Sequence, residues 1–335
     1  MNKSYLIEIF LTLRKQIQAL LPEDLAKLSF QAQNENNWFT PENVRLALQG
    51  LVHYLEEAPF REWAESYPNP SQPRKIGVVM AGNIPMVGVH DLICVLVSGH
   101  FLQVKLSTSD SVLMKFLINI LIDIEPQLRH RIEIVEQLKG FDAVIATGSD
   151  NTARYFEYYF GKYPHIIRKN RTSIAILHGK ESKDDLEKLG KDIFTYYGLG
   201  CRNVTKIYIP DNYDFTLLFE SIEGFRKVFE HHKYANNYDY NKSIYLVNKI
   251  NHLDNGFLLL AENFSFFSPI SVLHYEKYTN LGNLVENLEL HKEKIQCIVG
   301  DSKLFSDYIH FGQAQTPSIS DYADGVDTME FLSKI

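Results

Sequence analysis

Residues 76–105, IGVVMAGNIPMVGVHDLICVLVSGHFLQVK, decide the fold. Ile76 to Met80 is a short, unbroken apolar run, as expected of a strand buried on both faces. Apolar residues then recur at helical spacing from Val87 to Val97, and Phe101 to Lys105 returns to strand texture. The alternation continues outward with a helix through Val112 to Ile122, the strand AVIAT at 143–147 and a helix beginning near Asn151. It predicts an α/β domain with a parallel sheet covered by helices on both faces. A second α/β stretch starts with SIAIL at Ser173. It continues through VTKIYIP (204–210) and ends in the strands FLLLA (257–261), ISVLHY (270–275) and IQCIVG (295–300).

Upstream, the texture is purely helical. Apolar residues from Tyr5 to about Ala64 recur at three and four, as in Val44, Leu46, Leu48, Leu51 and Leu55, and Thr40-Pro41-Glu42 is a helix start signal. The three prolines of PNPSQPRK (68–75) then separate this layer from the first strand. The expected organisation is a helical segment over 1–66 packing on the next domain, a nucleotide-binding α/β domain over 67–172, a catalytic α/β domain over 173–300 and a C-terminal segment over 301–335.

Composition bounds the function. The chain has 335 residues, 45% hydrophobic and 22% charged, enough for two domains with buried cores. With 34 Lys and Arg against 41 Asp and Glu, the formal charge of −7 offers no positive field for a nucleic-acid backbone. The most apolar run, Leu92 to Val97, ends at Ser98-Gly99-His100, well short of the roughly 18 residues of a membrane span. Glu8 inside the first apolar segment argues for an amphipathic helix over a signal peptide. Three widely spaced cysteines suggest neither a disulfide framework nor a zinc site, and no metal is expected. These features together predict a cytoplasmic protein.

In a parallel sheet, ligands sit beyond the carboxyl ends of the strands, near helix N-termini. The turns to inspect are therefore AGNIP (81–85), KLSTSD (105–110) and TGSDN (147–151). None follows the GxGxxG or P-loop pattern. Asn83 admits two readings, a cap for the following helix or an amide offered to an oxyanion. Arg168-Lys169-Asn170-Arg171 reads as a solvated basic loop, and His231-His232 as a surface pair near a helix end. Among the cysteines, Cys94 in LICVLVSG and Cys297 in IQCIVG read as core residues. Cys201 differs, because it stands in YYGLGCRN with a glycine before it and Arg202 after it. It is either a nucleophile, with Arg202 favouring the thiolate, or a buried loop cysteine.

Taken in order, the strand-AGNIP-helix, KLSTSD, AVIATGSD and GLGCRNVTK segments resemble the aldehyde dehydrogenase superfamily, and GNIPMVGVHDL, RKNRTSIAIL and DYADGVDTMEFL resemble its LuxC-type acyl-CoA reductase branch. The resemblance runs from about Trp38 to the end. It implies an aldehyde-dehydrogenase-like fold, a catalytic Cys201 and an oxyanion amide from Asn83. Further, Lys105, Ser107 and Thr108 would lie at the adenosine ribose, and Thr147, Gly148 and Ser149 at the pyrophosphate. Where the family's hydrolytic members carry a water-activating Glu in ELGGK, this chain has Arg168. Where they carry the acid of KPSE it has Thr108, and the Glu of EIFGP corresponds to Ser265.

The implied reaction is reduction of an acyl thioester, from coenzyme A or an acyl carrier, to an aldehyde through a cysteine thioacyl intermediate. Because Thr108 would not repel a 2′-phosphate and Lys105 would attract it, NADPH is expected ahead of NADH. The alternatives are an acyl-phosphate reductase of the glutamyl-phosphate kind and a non-catalytic acyl-binding subunit of the same fold. A homodimer is the expected assembly.

Overall fold

A computed structural model describes residues 1–301 and 308–335, which form two compact units, 1–170 with 318–335, and 171–317. In the first unit, α1 (Lys3–Gln18), α2 (Pro22–Glu35), α3 (Pro41–Tyr54) and α4 (Glu57–Ser66) precede any strand. Helix α3 starts as its residues dictate, with the Thr40 hydroxyl accepting from the Asn43 N–H and Pro41 at the first position. An α/β region follows: β1 (Lys75–Val79), α5 (Val89–Val97), β2 (Phe101–Lys105), α6 (Ser111–Ile124), β3 (Ile132–Ile134), β4 (Ala143–Thr147), α7 (Asp150–Phe160) and β5 (His165–Arg168). The apolar faces of α1 to α6 share one core with β1 and β2, in which Phe10, Phe39, Phe60 and Ile76 are sealed from solvent.

The first sheet is parallel throughout, in the order β3-β2-β1-β4-β5. The chain builds outward from β1 through β2 to β3, then crosses to the other side of β1 for β4. The topological switch point therefore lies between the carboxyl ends of β1 and β4.

The second unit contains β6 (Thr172–Ile176), α8 (Lys183–Phe194), β7 (Val204–Pro210), α9 (Phe215–Ile222), α10 (His232–Val247), β8 (His252–Asp254), β9 (Leu259–Glu262), β10 (Val272–Tyr278), α11 (Leu281–Glu289) and β11 (Ile295–Val299). Its sheet runs β11-β6-β7-β10-β9-β8, parallel except for the edge strand β8. A last helix, α12 (Thr328–Ser333), belongs to the first unit, where Met329 and Leu332 enter the core. The first unit's continuous stretch ends at Asn170 and the second begins at Arg171. Residues 308–317 of the expected C-terminal segment lie in the second unit and 318–335 in the first; 302–307 lie outside the described residues.

The expected α/β architecture is present. The basic loop is only partly solvated: Arg168 is buried at the end of β5, Arg171 donates to the Lys292 and Ile295 carbonyls, and Lys169 is the exposed cation, paired with Glu157. His231 and His232 stand near a helix end, as read, where a 3-10 helix (Glu223–Glu230) stops; α10 starts directly after it, so the two helix dipoles act on a charge there with opposite signs.

Candidate active site

Because β1, β2 and β4 are parallel neighbours with Val79 in register with both Lys105 and Ala146, the three turns that follow them emerge side by side at one sheet edge. The structure thus brings Asn83, Lys105, Ser107, Thr108, Thr147, Gly148 and Ser149 to the carboxyl end of the first sheet. The turns are also cross-linked. The Asn36 amide donates to the carbonyls of Gly82 and Ser109, both at 3.4 Å. A Cβ at Gly82 would lie 2.4 Å from the Ser107 hydroxyl oxygen, so only glycine lets the AGNIP and KLSTSD turns approach this closely.

Helix α5 begins at Val89 with Gly88 as its N-cap, five residues past Asn83. This removes the capping reading of Asn83, whose side chain lies in an exposed turn. Lys105 and Ser107 are half-buried and Thr108 is exposed. Ser149 is the N-cap of α7, its hydroxyl accepting from the Thr152 N–H. At the α6 N-terminus Glu35 takes the orphan donors, accepting from the Ser111 N–H at 2.8 Å, the Ser111 hydroxyl at 2.5 Å and the Val112 N–H at 3.0 Å.

Asp110 pins the other end of the AGNIP turn by accepting from the Met86 N–H at 2.7 Å; among the described residues its second oxygen has no hydrogen-bond partner. Burial pushes its carboxyl from 3.8 up to about 8. Above pH 4 the unfolded chain gives up this proton while the folded chain keeps it to about pH 8, so the group lowers stability progressively as pH rises through that window. Asp110→Asn, which cannot titrate, should therefore gain stability relative to the parent between pH 5 and pH 8. Thermal melts at the two pH values check this, and a pH-independent difference would show that the carboxyl is already ionised at pH 5.

In the second unit, Cys201 follows α8 through a tight turn. Tyr196 (φ 53°), Tyr197 (φ 58°) and Gly198 (φ 79°) are all left-handed, which strains the two tyrosines. The turn is closed by a residue that the sequence reading passed over. Asn203 is fully buried, and its amide nitrogen donates to the carbonyls of Asp192, Ile193 and Thr195 at 3.1, 3.2 and 2.8 Å. Its side-chain oxygen accepts from the Gly200 N–H at 2.8 Å, and its own N–H donates to the Gly200 carbonyl at 3.0 Å. One amide thus satisfies the carbonyls that the end of α8 leaves open and folds the chain back toward β7. The signal was there to read: an Asn two residues after the cysteine and immediately before a strand is a turn-forming residue.

Cys201 itself is half-buried, whereas Cys94 is sealed and its thiol is pushed well up by burial. The reading of Cys94 as a core residue stands. That of Cys297 does not: it is half-buried, with its sulfur 3.0 Å from the Ser173 hydroxyl. Arg202 directs Nε to the Ala314 carbonyl at 2.5 Å. Asp192 accepts from the Gly312 and Ala314 N–H groups at 2.6 and 3.0 Å, and burial raises its pKa to about 6. Ser265, within SFFSP, lies in an exposed loop anchored to β7 by the Thr205 hydroxyl, which donates to the Phe266 carbonyl at 2.7 Å.

Arg168 is enclosed in the first unit, Nη1 2.6 Å from an Asp91 carboxylate oxygen and Nη2 2.9 Å from the Thr328 hydroxyl. Burial works against its charge, but the Asp91 carboxylate outweighs it and holds the guanidinium pKa above its ordinary value. The GVHDL, RKNR and GVDTMEF segments therefore converge on one buried cluster.

Solved structures share this architecture. A NAD-dependent aldehyde dehydrogenase from Sinorhizobium meliloti matches 90% of this chain and 70% of its own at 10% identity, with a TM-score of 0.68. An E. coli NADP dependent enzyme matches 92% and 77% at 10% identity and 0.66. An acetylating aldehyde dehydrogenase from Geobacillus thermoglucosidasius matches 95% and 86% at 11% identity and 0.64. At these identities the likeness establishes the fold. No curated protein matches the chain. The sequence itself goes further: residues 13–218, more than half of its length, match the acyl-CoA reductase (LuxC) family. The chain belongs to that family and is an aldehyde-forming oxidoreductase.

Proposed function

We propose that the chain reduces an acyl thioester of coenzyme A or of an acyl carrier to the aldehyde, through a thioester on Cys201 and with NADPH as reductant. The observation that carries the reading is the setting of Cys201, half-buried on a turn that Asn203 holds through five hydrogen bonds, while Cys94 is sealed in the core. The Cys201 thiolate attacks the substrate carbonyl carbon, and the carbon–sulfur bond to the leaving thiol breaks. The Cys201 N–H takes the developing oxyanion, and the resemblance implies the Asn83 amide as a second donor. A trans peptide points its N–H opposite its C=O, so Asn203, by holding the Gly200 carbonyl, aims the Cys201 N–H away from itself.

Arg168, where the resemblance puts a water-activating Glu, is engaged with Asp91 and supplies no base. A thioester on Cys201 is then slow to hydrolyse and survives until it is reduced.

The turns at the carboxyl edge of the first sheet fit a phosphorylated dinucleotide. Lys105 brings a cation, Ser107, Thr108 and Thr147 bring hydroxyls, and Gly148 and Ser149 open the N-terminus of α7. When bound, the nicotinamide supplies hydride. Lys105 and the uncharged Thr108 favour the 2′-phosphate. A single charge-assisted contact is worth at least about tenfold, so kcat/KM with NADPH should exceed that with NADH by about that factor.

The deciding experiment is mass spectrometry of the protein after incubation, without reductant, with panels of acyl-CoAs and acyl phosphates. The expected result is acylation of the Cys201 peptide by acyl-CoA, discharged on adding NADPH. Acylation by acyl phosphate alone would replace this reading with acyl-phosphate reduction. Absence of any acyl adduct would favour a non-catalytic acyl-binding role.

A further inference from the structure

Ser173 lies at the start of β6 and is completely buried, yet it makes three polar contacts toward the neighbouring segments. Its N–H donates to the Asn203 carbonyl at 3.1 Å. Its hydroxyl oxygen lies 3.1 Å from the Cys201 carbonyl and 3.0 Å from the Cys297 sulfur. A serine hydroxyl has one proton, and a backbone carbonyl can only accept. The proton must therefore go to the Cys201 carbonyl, since otherwise two oxygens would face each other with no hydrogen between them. The remaining lone pairs of Ser173 are then open to the Cys297 S–H. This assigns a direction to the relay: Cys297 S–H to Ser173, Ser173 O–H to the carbonyl of Cys201.

This matters for the geometry at Cys201. The peptide before its Cα is held by Asn203 through the Gly200 carbonyl, and the peptide before that one through the Gly200 N–H. The peptide after its Cα is held by Ser173. With both flanking peptides fixed, the Cα–Cβ bond of Cys201 has a single direction, and the thiol starts from one set of rotamers. Deleting the Ser173 hydroxyl would release the second peptide and leave a carbonyl without this donor.

We propose that Ser173 is a positioning residue for Cys201, with the Cys297 thiol orienting the Ser173 hydroxyl. The proposal rests on Cys201 being the nucleophile, and it adds two residues that touch neither substrate nor cofactor.

The test measures the rate of Cys201 acylation by acyl-CoA, together with the alkylation rate of Cys201 by iodoacetamide across pH, both resolved by peptide mass because Cys297 is also accessible. Ser173→Ala should slow Cys201 acylation by about tenfold, the effect of losing one well-placed hydrogen bond. Its KM for NADPH should not change, and its pH profile of alkylation should differ from the parent's. Cys297→Ala should slow acylation by about threefold, since Ser173 keeps its proton but loses its orienting partner. Cys297→Ser keeps a donor and should recover most of that loss.

Parental acylation and alkylation in Ser173→Ala would overturn the proposal. So would a loss of cofactor affinity and melting temperature in step with rate, which would mark general loosening of the fold. Should Ser173→Ala fail to fold, the Cys297→Ala and Cys297→Ser pair decides, and equal rates in the two would overturn it. If the parent is not acylated at Cys201, the proposed reaction fails. The alkylation comparison then still decides whether Ser173 governs that thiol.

Discussion

Cys201→Ala loses acyl-thioester reduction down to the solution background, a fall of about 10⁴-fold or more, while retaining its fold and its affinity for NADPH. The loss is expected because alanine offers no atom that can carry the acyl group, so the reaction has no covalent route. Retention of the fold is expected because the hydrogen bonds that shape the turn, from Asn203 and Ser173, reach backbone atoms of Gly200 and Cys201 and none requires the sulfur. Asn83→Ala, by contrast, keeps the nucleophile and, on the proposed mechanism, loses one oxyanion donor, so its kcat should drop by about 10² to 10³. The measurement is NADPH oxidation with acyl-CoA, beside a fluorescence titration of cofactor binding. If Cys201→Ala reduced acyl-CoA at the parental rate while Cys297→Ala did not, the reaction would belong to the second accessible thiol and the proposed mechanism would be wrong.

The fold is legible in the sequence wherever local pattern and burial coincide. Strands β1, β2 and β4 are continuous apolar runs between turn residues, and each lies within one residue of its reading. Strand β3 is three residues long and β5 ends in an arginine, so neither carries enough apolar pattern to be seen. Helix α5 begins at Val89 because Met86 is left-handed and its N–H is held by Asp110, a contact across 24 positions that no local pattern encodes.

The candidate site shows the same division. The turns after β1, β2 and β4 are visible as polar, Gly- or Ser-bearing interruptions, and strand register alone brings them together. What holds each turn in shape comes from distant residues: Asn36 and Glu35 on or beside α2, Asp110 before α6, and Ser173 on β6. Asn203 is the exception, being local yet visible only once its carbonyl partners are placed. Cys297 is misread because IQCIVG is apolar in composition, whereas its strand lies beside β6 at one end of the sheet and leaves the residue half-buried.

Arg168→Met should lower the unfolding free energy by about 3 to 5 kcal/mol, the usual result of stripping one partner from a buried ion pair. Both side chains are inside, with Arg168 5% and Asp91 8% exposed, and the pair is 2.6 Å apart. Methionine fills much of the volume, so the loss is electrostatic: Asp91 would be left in a low-dielectric site without its cation. The pair is already imperfect, because among the described residues Asp91 Oδ1 and Arg168 Nε lack hydrogen-bond partners. That makes it a poor contributor to net stability and a costly one to break.

One further result distinguishes this account from simple loss of packing. Arg168→Met combined with Asp91→Leu, which removes both charges, should recover most of the loss. Urea unfolding of the single and double variants reads both expectations. A single-variant loss below about 1 kcal/mol, the range of an exposed pair, would mean that water reaches Asp91. The cluster would then not be what joins the GVHDL, RKNR and GVDTMEF segments.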